Sequence, residues 1–98
     1  MKPSCRIVFS ESVRNTIRKF PPLPKKTLRK ALKELETDPF LGELLERELS
    51  GLYKLTVKNY RIIYKIAQEK QEIRVIAIGP RKTIYLDLLE LLKLSEES

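Results

Sequence analysis

The sequence predicts an α+β domain in which a helical hairpin packs on one face of a small, mainly antiparallel sheet. Two amphipathic segments are separated by the helix-breaking stretch PPLP at 21–24. After Gly51 the spacing of apolar residues changes from a helical to a strand period, and a leucine-rich segment of helical length follows the last strand. We expect the order β-α-α-β-β-β-α within one domain, 1–98, a length that supports a core without disulfides or metals.

Local signals predict the first three elements. The β-branched run CRIVF at 5–9 is typical of a strand, and Ser10 is a good N-cap for a helix that reaches about Lys19. Pro24 suits the first turn of a second helix, which we expect to end near Glu36. The apolar faces consist of Val13, Ile17 and Phe20 in the first helix and Leu28, Ala31, Leu32 and Leu35 in the second.

The second half of the chain reads as strands followed by a helix. Residues 37–51 carry turn signals and are interpreted as a connection with room for one helical turn. We expect an antiparallel meander of three strands at 52–58, 60–67 and 72–78, with tight turns at Lys58-Asn59 and 68–71, and a last helix at 83–94.

Composition excludes several functional classes. Cys5 is the only cysteine and histidine is absent, so an intrachain disulfide, a Cys/His zinc site, a Ser-His-Asp triad and histidine-based ribonuclease chemistry are all excluded. We expect neither a metal nor a cofactor. The single cysteine fits a reducing cytoplasm, where we expect the protein to be. The start MKPSCRIVFS has no apolar signal region and no apolar run is long enough to cross a bilayer, so neither export nor membrane insertion is expected.

The net charge of +7 is unevenly distributed. Residues 1–33 hold ten cations and one acid, and residues 53–82 hold eight cations and two acids. Acidic residues are in excess in 34–52 and in 83–98. Two basic blocks of this kind attract polyanions such as nucleic acid, although a merely solubilising surface remains an alternative.

Strand alternation separates a cationic face from an apolar face. A turn at Lys58-Asn59 pairs Val57 with Tyr60, Thr56 with Arg61 and Lys54 with Ile63. The predicted cationic face then holds Lys54, Thr56, Lys58 and Arg61. The apolar face, which the two helices should cover, holds Tyr53, Leu55, Val57, Ile62, Tyr64 and Ile66.

The stretch IAIGPRKTIY brings further groups to the cationic face. If the second hairpin is centred on Glu69-Lys70, Ile78 lies across from Arg61, and Arg81 leaves the sheet beside Arg61. Tyr85 follows one helical turn later and can face the same surface. The carboxylates of the sequence are expected to lie away from this face.

Arginine, lysine and tyrosine together can cleave RNA. Arginine stabilises the charge of a pentacovalent phosphorane, and a lysine or tyrosine among cations can transfer a proton. The alternatives are structural: Lys54 and Arg61 are then solvated strand residues, and Tyr85 is a core aromatic.

With these residues placed, the chain resembles the RelE/ParE superfamily of type II toxins. The resemblance runs from IVFSESVRNTIRKFP through DPFLGELLERELSGLYKLTV and YRIIYKI to VIAIGPRKTIY. It implies a compact ribonuclease that cuts mRNA in the ribosomal A site, leaves a 2′,3′-cyclic phosphate and a 5′-hydroxyl, and is held inactive by a cognate antitoxin.

The resemblance also implies residue roles. Lys54, Arg61 and Arg81 match phosphate-binding cations of the family, and Tyr85 matches a tyrosine that stacks on or deprotonates the nucleotide. Some active relatives have a second lysine where this chain has Thr56, so either Lys58 compensates or the rate is lower. The expected RNA-binding residues are Lys26, Arg29, Lys30, Lys33, Lys58 and Lys82.

Two further functions remain open from the sequence. ParE-like members share the fold but poison DNA gyrase and generally lack the complete cation and tyrosine set. An inactive RNA- or protein-binding relative is the third possibility. In the last helix, leucines exceed the number that one buried stripe needs, so they either complete the core or form a groove for an antitoxin helix.

Overall fold

The computed structural model describes residues 5–20, 22–86 and 88–89 and has the predicted α+β architecture. A five-stranded sheet carries a helical hairpin on one face and the start of a last helix on the other. The elements are β1 Arg6–Phe9, α1 Glu11–Arg18, α2 Pro22–Thr37, β2 Glu43–Leu44, β3 Tyr53–Val57, β4 Tyr60–Ala67 and β5 Glu72–Pro80, with 3-10 turns at Arg47–Leu49 and Gln68–Lys70. Residues 84–86 and 88–89 are helical and are called α3. Thr83 of the helix predicted at 83–94 lies in the turn before α3, and positions 87 and 90–94 lie outside the described residues.

The strands follow the order β1-β5-β4-β3-β2. The predicted meander is confirmed, because β4 pairs antiparallel with both β3 and β5. β1 lies at one edge and pairs parallel with β5, from Arg6 opposite Glu72 to Phe9 opposite Val75. The two-residue strand β2 forms the other edge, in a segment that the sequence predicted to be only a connection.

The helical hairpin begins and ends close to the predicted positions. The Ser10 hydroxyl accepts a hydrogen bond from the Val13 amide at 3.2 Å, which confirms the N-cap. Helix α2 begins at Pro22 and has Pro24 in its first turn, as predicted, because the first turn of a helix needs no amide hydrogen from proline. The Lys25 ammonium contacts the Arg18 carbonyl at 3.4 Å and links the two helices.

The main core lies between this hairpin and the predicted apolar face of the sheet. The four apolar residues predicted for α2 are all buried, and Ile17 and Phe20 pack against the same core. The buried residues are Val13, Leu28, Ala31, Leu32, Leu35, Val57, Ile62, Tyr64, Ile73, Val75 and Ile78. This confirms the assignment of the two faces for the strand residues of β3 and β4.

A second, smaller core occupies part of the opposite face. Ile63 of β4 and Ala77 of β5 pack there against Ile84 and Leu88 of α3. The backbone of β5 lies close to α3, since a Cβ atom at Gly79 would lie 3.1 Å from the Ile84 side chain. The described part of α3 therefore covers one part of the cationic face and, among the described residues, leaves the part near the β3–β4 turn open.

A β-bulge corrects the predicted register of the second hairpin. The predicted pairing holds from Tyr64 opposite Val75 to the turn, but Ile63 lies opposite Ala77, so Ile76 is an extra residue in β5. Arg61 consequently pairs with Gly79 and not with Ile78. The extra residue also lets Val75 and Ile78 face the same core despite their odd separation.

Candidate functional site

The open part of the cationic face is formed where β3, β4 and β5 meet the β3–β4 turn. The observed register places Lys54 opposite Ile63, and Thr56 opposite Arg61, as predicted. Lys54 and Arg61 are therefore diagonal neighbours on one face of adjacent strands. The Lys54 side chain is only 25% exposed, whereas Thr56 is exposed.

Arg81 lies at the same end of the sheet. Its backbone amide donates a hydrogen bond of 2.8 Å to the carbonyl of Asn59, so the pairing of β4 with β5 extends into the turn. Since Arg61 pairs with Gly79, Arg81 leaves the sheet beside it, and the side chains of Arg81 and Lys82 are exposed. The bulge at Ile76 thus strengthens the predicted proximity of the two arginines.

Tyr85 is anchored by the second core. It is half-buried, and its ring packs against the cluster that contains Ile84 and Leu88. The sequence allowed Tyr85 to be either a core aromatic or a group that faces the cationic surface. Both interpretations have a physical basis, because the side chain contributes to the core and keeps part of its surface exposed. Its position one turn after Arg81 is set by the close contact between Gly79 and Ile84.

The guanidinium of Arg61 is turned toward the backbone of its own turn. One nitrogen, Nη1, donates to the Tyr60 carbonyl at 2.9 Å and to the Lys58 carbonyl at 3.1 Å. Lys58 has a positive φ of 55°, which this tight turn requires. Among the described residues, the remaining donors of the guanidinium have no partner and can bind an anion.

Lys58 itself does not share the face of Lys54, and this part of the prediction is wrong. The left-handed conformation of Lys58 in the turn ends the strand alternation. Its side chain lines a groove on the side of α2 instead. Lys58 is therefore poorly placed to replace a lysine at position 56.

The groove contains most of the predicted RNA-binding cations. It is lined by residues of α2 and of the β3–β4 turn, namely Lys26, Thr27, Arg29, Lys30, Lys33 and Lys58. These cations are clustered on the exposed side of α2, as predicted, whereas Lys82 follows Arg81 at the end of the sheet. The turn thus separates two positive surfaces, the α2 groove and the open cationic face.

One carboxylate lies on the cationic face, contrary to the sequence prediction. β2 pairs with β3 so that Glu43 lies opposite Lys54, and the Glu43 carboxylate is 3.3 Å from the Lys54 ammonium. Sequence reasoning missed Glu43 because a two-residue strand is too short to show a period of 2. The only local signal was Gly42, where the chain comes close to β3.

The described part of the chain offers no evident metal site or membrane span. Across residues 5–20, 22–86 and 88–89, no three carboxylate or thiol groups cluster as metal ligands would. In the same ranges, no helix combines the length and apolar character that crossing a membrane requires. The cations Lys54, Arg61 and Arg81 give this face a chemistry that suits an anion.

The α+β fold agrees with the resemblance to the RelE/ParE superfamily of type II toxins. Residues 8–85 match the family described as the ParE toxin of the type II toxin–antitoxin system parDE, and the chain belongs to this family.

Individual relatives agree with this assignment. The chain is 28% identical over 79 residues to Toxin RelG of Mycobacterium tuberculosis. The matched region covers 79% of this chain and 91% of the relative. It is similar, at 25% identity and a TM-score of 0.73, to the toxin–antitoxin complex RelBE2 from the same organism, over 80% of this chain and 99% of that one. The intact RelBE complex of E. coli gives 25% identity and a TM-score of 0.70, over 79% and 96% of the two chains.

Proposed function

We propose that this toxin is a RelE-like endoribonuclease that cleaves mRNA in the ribosomal A site and thereby inhibits translation. The observation that carries the proposal is the strand register, which brings Arg81 to the end of the sheet beside Arg61 and makes Arg61 a diagonal neighbour of Lys54. A cytoplasmic site of action goes with a ribosomal target.

The proposed reaction needs no group outside the chain and the RNA. The 2′-oxygen attacks the adjacent phosphorus, the bond from phosphorus to the 5′-oxygen breaks, and the products are a 2′,3′-cyclic phosphate and a 5′-hydroxyl. The proton of the 2′-hydroxyl leaves during attack, and the 5′-oxygen gains one. Lys54, Arg61 and Arg81 hold the phosphate and stabilise the charge of the phosphorane, and Tyr85 stacks on or deprotonates the nucleotide.

The α2 groove supplies the proposed contact with ribosomal RNA. Four cations of α2 and Lys58 of the turn line one open groove, and an RNA backbone is the polyanion that a ribosome presents. The groove is separate from the cationic face, so the toxin can contact ribosomal RNA and mRNA at the same time.

Cleavage of mRNA on programmed ribosomes tests the proposal directly. Arg81→Ala should reduce the cleavage rate by about 100-fold, the usual cost of removing one stabilising contact from a transition state. Tyr85→Phe should also reduce it strongly. Lys70→Ala removes the same charge from the exposed 3-10 turn at the other end of the sheet and should retain most of the activity. Equal rates for Arg81→Ala and the unchanged protein would refute the assignment.

Ribosome association tests the groove separately. Replacing Lys26, Lys30 and Lys33 with Gln should weaken association and flatten its dependence on salt. A control that replaces Arg14, Arg18 and Lys19 of α1, all exposed, removes the same charge from another surface. The groove has no docking role if the two triple variants bind ribosomes equally well.

A cognate antitoxin is the second proposed partner. The described part of α3 presents Leu86 and Leu89, which are 67% and 41% exposed, while Leu88 is fully buried. Exposed leucines beside a cationic face suit an amphipathic, acidic segment. Co-expression with a short acidic protein from the neighbouring reading frame should give a complex that no longer cleaves mRNA.

A gyrase poison is the alternative, because the matching family is described by its ParE members. That function predicts inhibited DNA supercoiling, with Arg81→Ala and Tyr85→Phe nearly silent. An inactive RNA- or protein-binding relative would show neither effect. Incubating the purified toxin with programmed ribosomes and, separately, with gyrase distinguishes the three.

A further inference from the structure

Lys54 lies on β3, and the two strands beside β3 place side chains of opposite charge next to it. On the β4 side its diagonal neighbour is Arg61, and on the β2 side it faces Glu43. The Lys54 ammonium is 3.3 Å from a Glu43 carboxylate oxygen. The ion pair therefore draws the ammonium toward the β2 edge, away from Arg61.

Glu43 is held in this place by hydrogen bonds to the loop that precedes it. The loop before β2 is fixed to β4 because the buried Tyr64 hydroxyl donates to the Pro39 carbonyl at 2.8 Å and accepts from the Gly42 amide at 2.9 Å. A Cβ atom at Gly42 would lie 2.6 Å from the Lys54 carbonyl oxygen, so the close approach of the loop to β3 depends on glycine.

The far end of β2 is also fixed. The amide of Leu45 donates to the carbonyl of Leu52 at 2.9 Å and continues the pairing of the two strands. Glu43, although its side chain is 80% exposed, thus sits on a strand that is hydrogen-bonded on both sides of it. A buried tyrosine and a closely packed glycine therefore hold this short strand beside Lys54.

We propose that Glu43 is the counter-ion of Lys54 in the free toxin, and that an RNA phosphate displaces Glu43 when it binds. This inference rests on the proposed function, since it takes an RNA phosphate as the ligand of Lys54 and Arg61. Glu43 is a positioning residue in this arrangement, because it acts on the substrate only through Lys54. Its carboxylate lowers the affinity of Lys54 for phosphate until the other cations hold a phosphate close to Lys54.

The test is the binding of a short single-stranded RNA, methylated at its 2′-oxygens so that it cannot be cleaved. Fluorescence anisotropy with the purified full chain gives Kd over a series of salt concentrations. The variants are Glu43→Gln, Lys54→Gln and the double variant. Glu46→Gln is the matched control, because Glu46 is exposed, carries the same charge and forms no ion pair among the described residues.

Glu43→Gln should bind the RNA about 2- to 5-fold more tightly at low salt, the range expected for release of one exposed ion pair. The slope of log K against log salt should steepen by about 0.7, which corresponds to one more phosphate contact with a single strand. Glu46→Gln should change the slope much less, and Glu43→Gln should have no effect when Lys54 is already Gln.

The inference is overturned if Glu43→Gln weakens binding, if Glu46→Gln matches it, or if its effect persists without Lys54. In these cases Lys54→Gln and Arg81→Gln would still weaken binding if the proposed RNA surface is right. If those two variants bind RNA as well as the unchanged toxin does, the proposed function itself fails on this surface.

Discussion

Replacing Tyr64 with Phe should destabilise the fold through one buried hydroxyl. Tyr64 is fully buried, and its hydroxyl makes two hydrogen bonds, 2.8 Å to the Pro39 carbonyl and 2.9 Å from the Gly42 amide. Phenylalanine keeps the ring, which stacks on Tyr53 at 5.4 Å, but leaves both backbone groups without this partner. At about 0.5–1.5 kcal/mol for each hydrogen bond, the loss is about 1–3 kcal/mol.

Urea unfolding followed by circular dichroism measures this loss. For a domain of this size, each kcal/mol lowers Tm by about 4–8 °C. Tyr53→Phe is the matched control, since among the described residues its hydroxyl has no hydrogen-bond partner, and it should cost less than about 0.5 kcal/mol. Equal losses for the two variants would refute the role of the Tyr64 hydroxyl in holding β2.

The same hydroxyl predicts a dependence on alkaline pH. Burial raises the pKa of Tyr64 above 10.0, with a smaller opposing contribution from the Gly42 amide. A raised pKa in the folded state means that the stabilisation is complete below pH 10 and is lost as pH rises further, because the unfolded phenol ionises first. The difference in stability between the unchanged protein and Tyr64→Phe should therefore shrink above pH 10.

Three further variants test the fold at other points. A hydrogen bond from Arg6 lowers the pKa of the Glu72 carboxyl, so Glu72→Gln should destabilise the protein at pH 7, and the difference should begin to shrink below about pH 4.5 and be lost as pH falls through the lowered pKa of the folded state. Ser10→Ala removes the cap on the Val13 amide and should cost about 1 kcal/mol in urea unfolding, whereas Ser10→Asp should restore the stability. Gly51 has φ 90° with open space around it, so Gly51→Ala should cost about 1–2 kcal/mol and Gly51→Asn less; no cost for alanine would exclude conformational strain there.

Much of the fold was predictable because its signals are local. The N-cap at Ser10, the apolar stripe of α2 and the turn at Lys58-Asn59 each depend on a few neighbouring residues. The turn then fixed the register of β3 with β4, and with it the face that carries Lys54 and Arg61. The roles of the predicted site residues remain proposals that the cleavage and binding experiments test.

Most of the features that the sequence did not predict share one physical origin. The bulge at Ile76, the parallel partner of β1 and the pairing of Glu43 with Lys54 all depend on contacts between distant segments. Lys58 was assigned to the wrong face because a left-handed turn residue no longer follows the alternation of the strand. Local patterns indicate which face of the sheet a strand residue lies on. They do not show where an extra residue shifts the pairing register of two strands.

By itself, the sequence determined the helices, the central strands and the cationic character of the surface, since hydrophobic period, turn residues and charge act over short distances. The tertiary structure decided which groups meet. It set Gly79 rather than Ile78 opposite Arg61 through one extra residue in β5, and it brought Glu43 to Lys54 through a glycine that only close strand packing requires. Such contacts are fixed by packing between segments that are far apart in the chain.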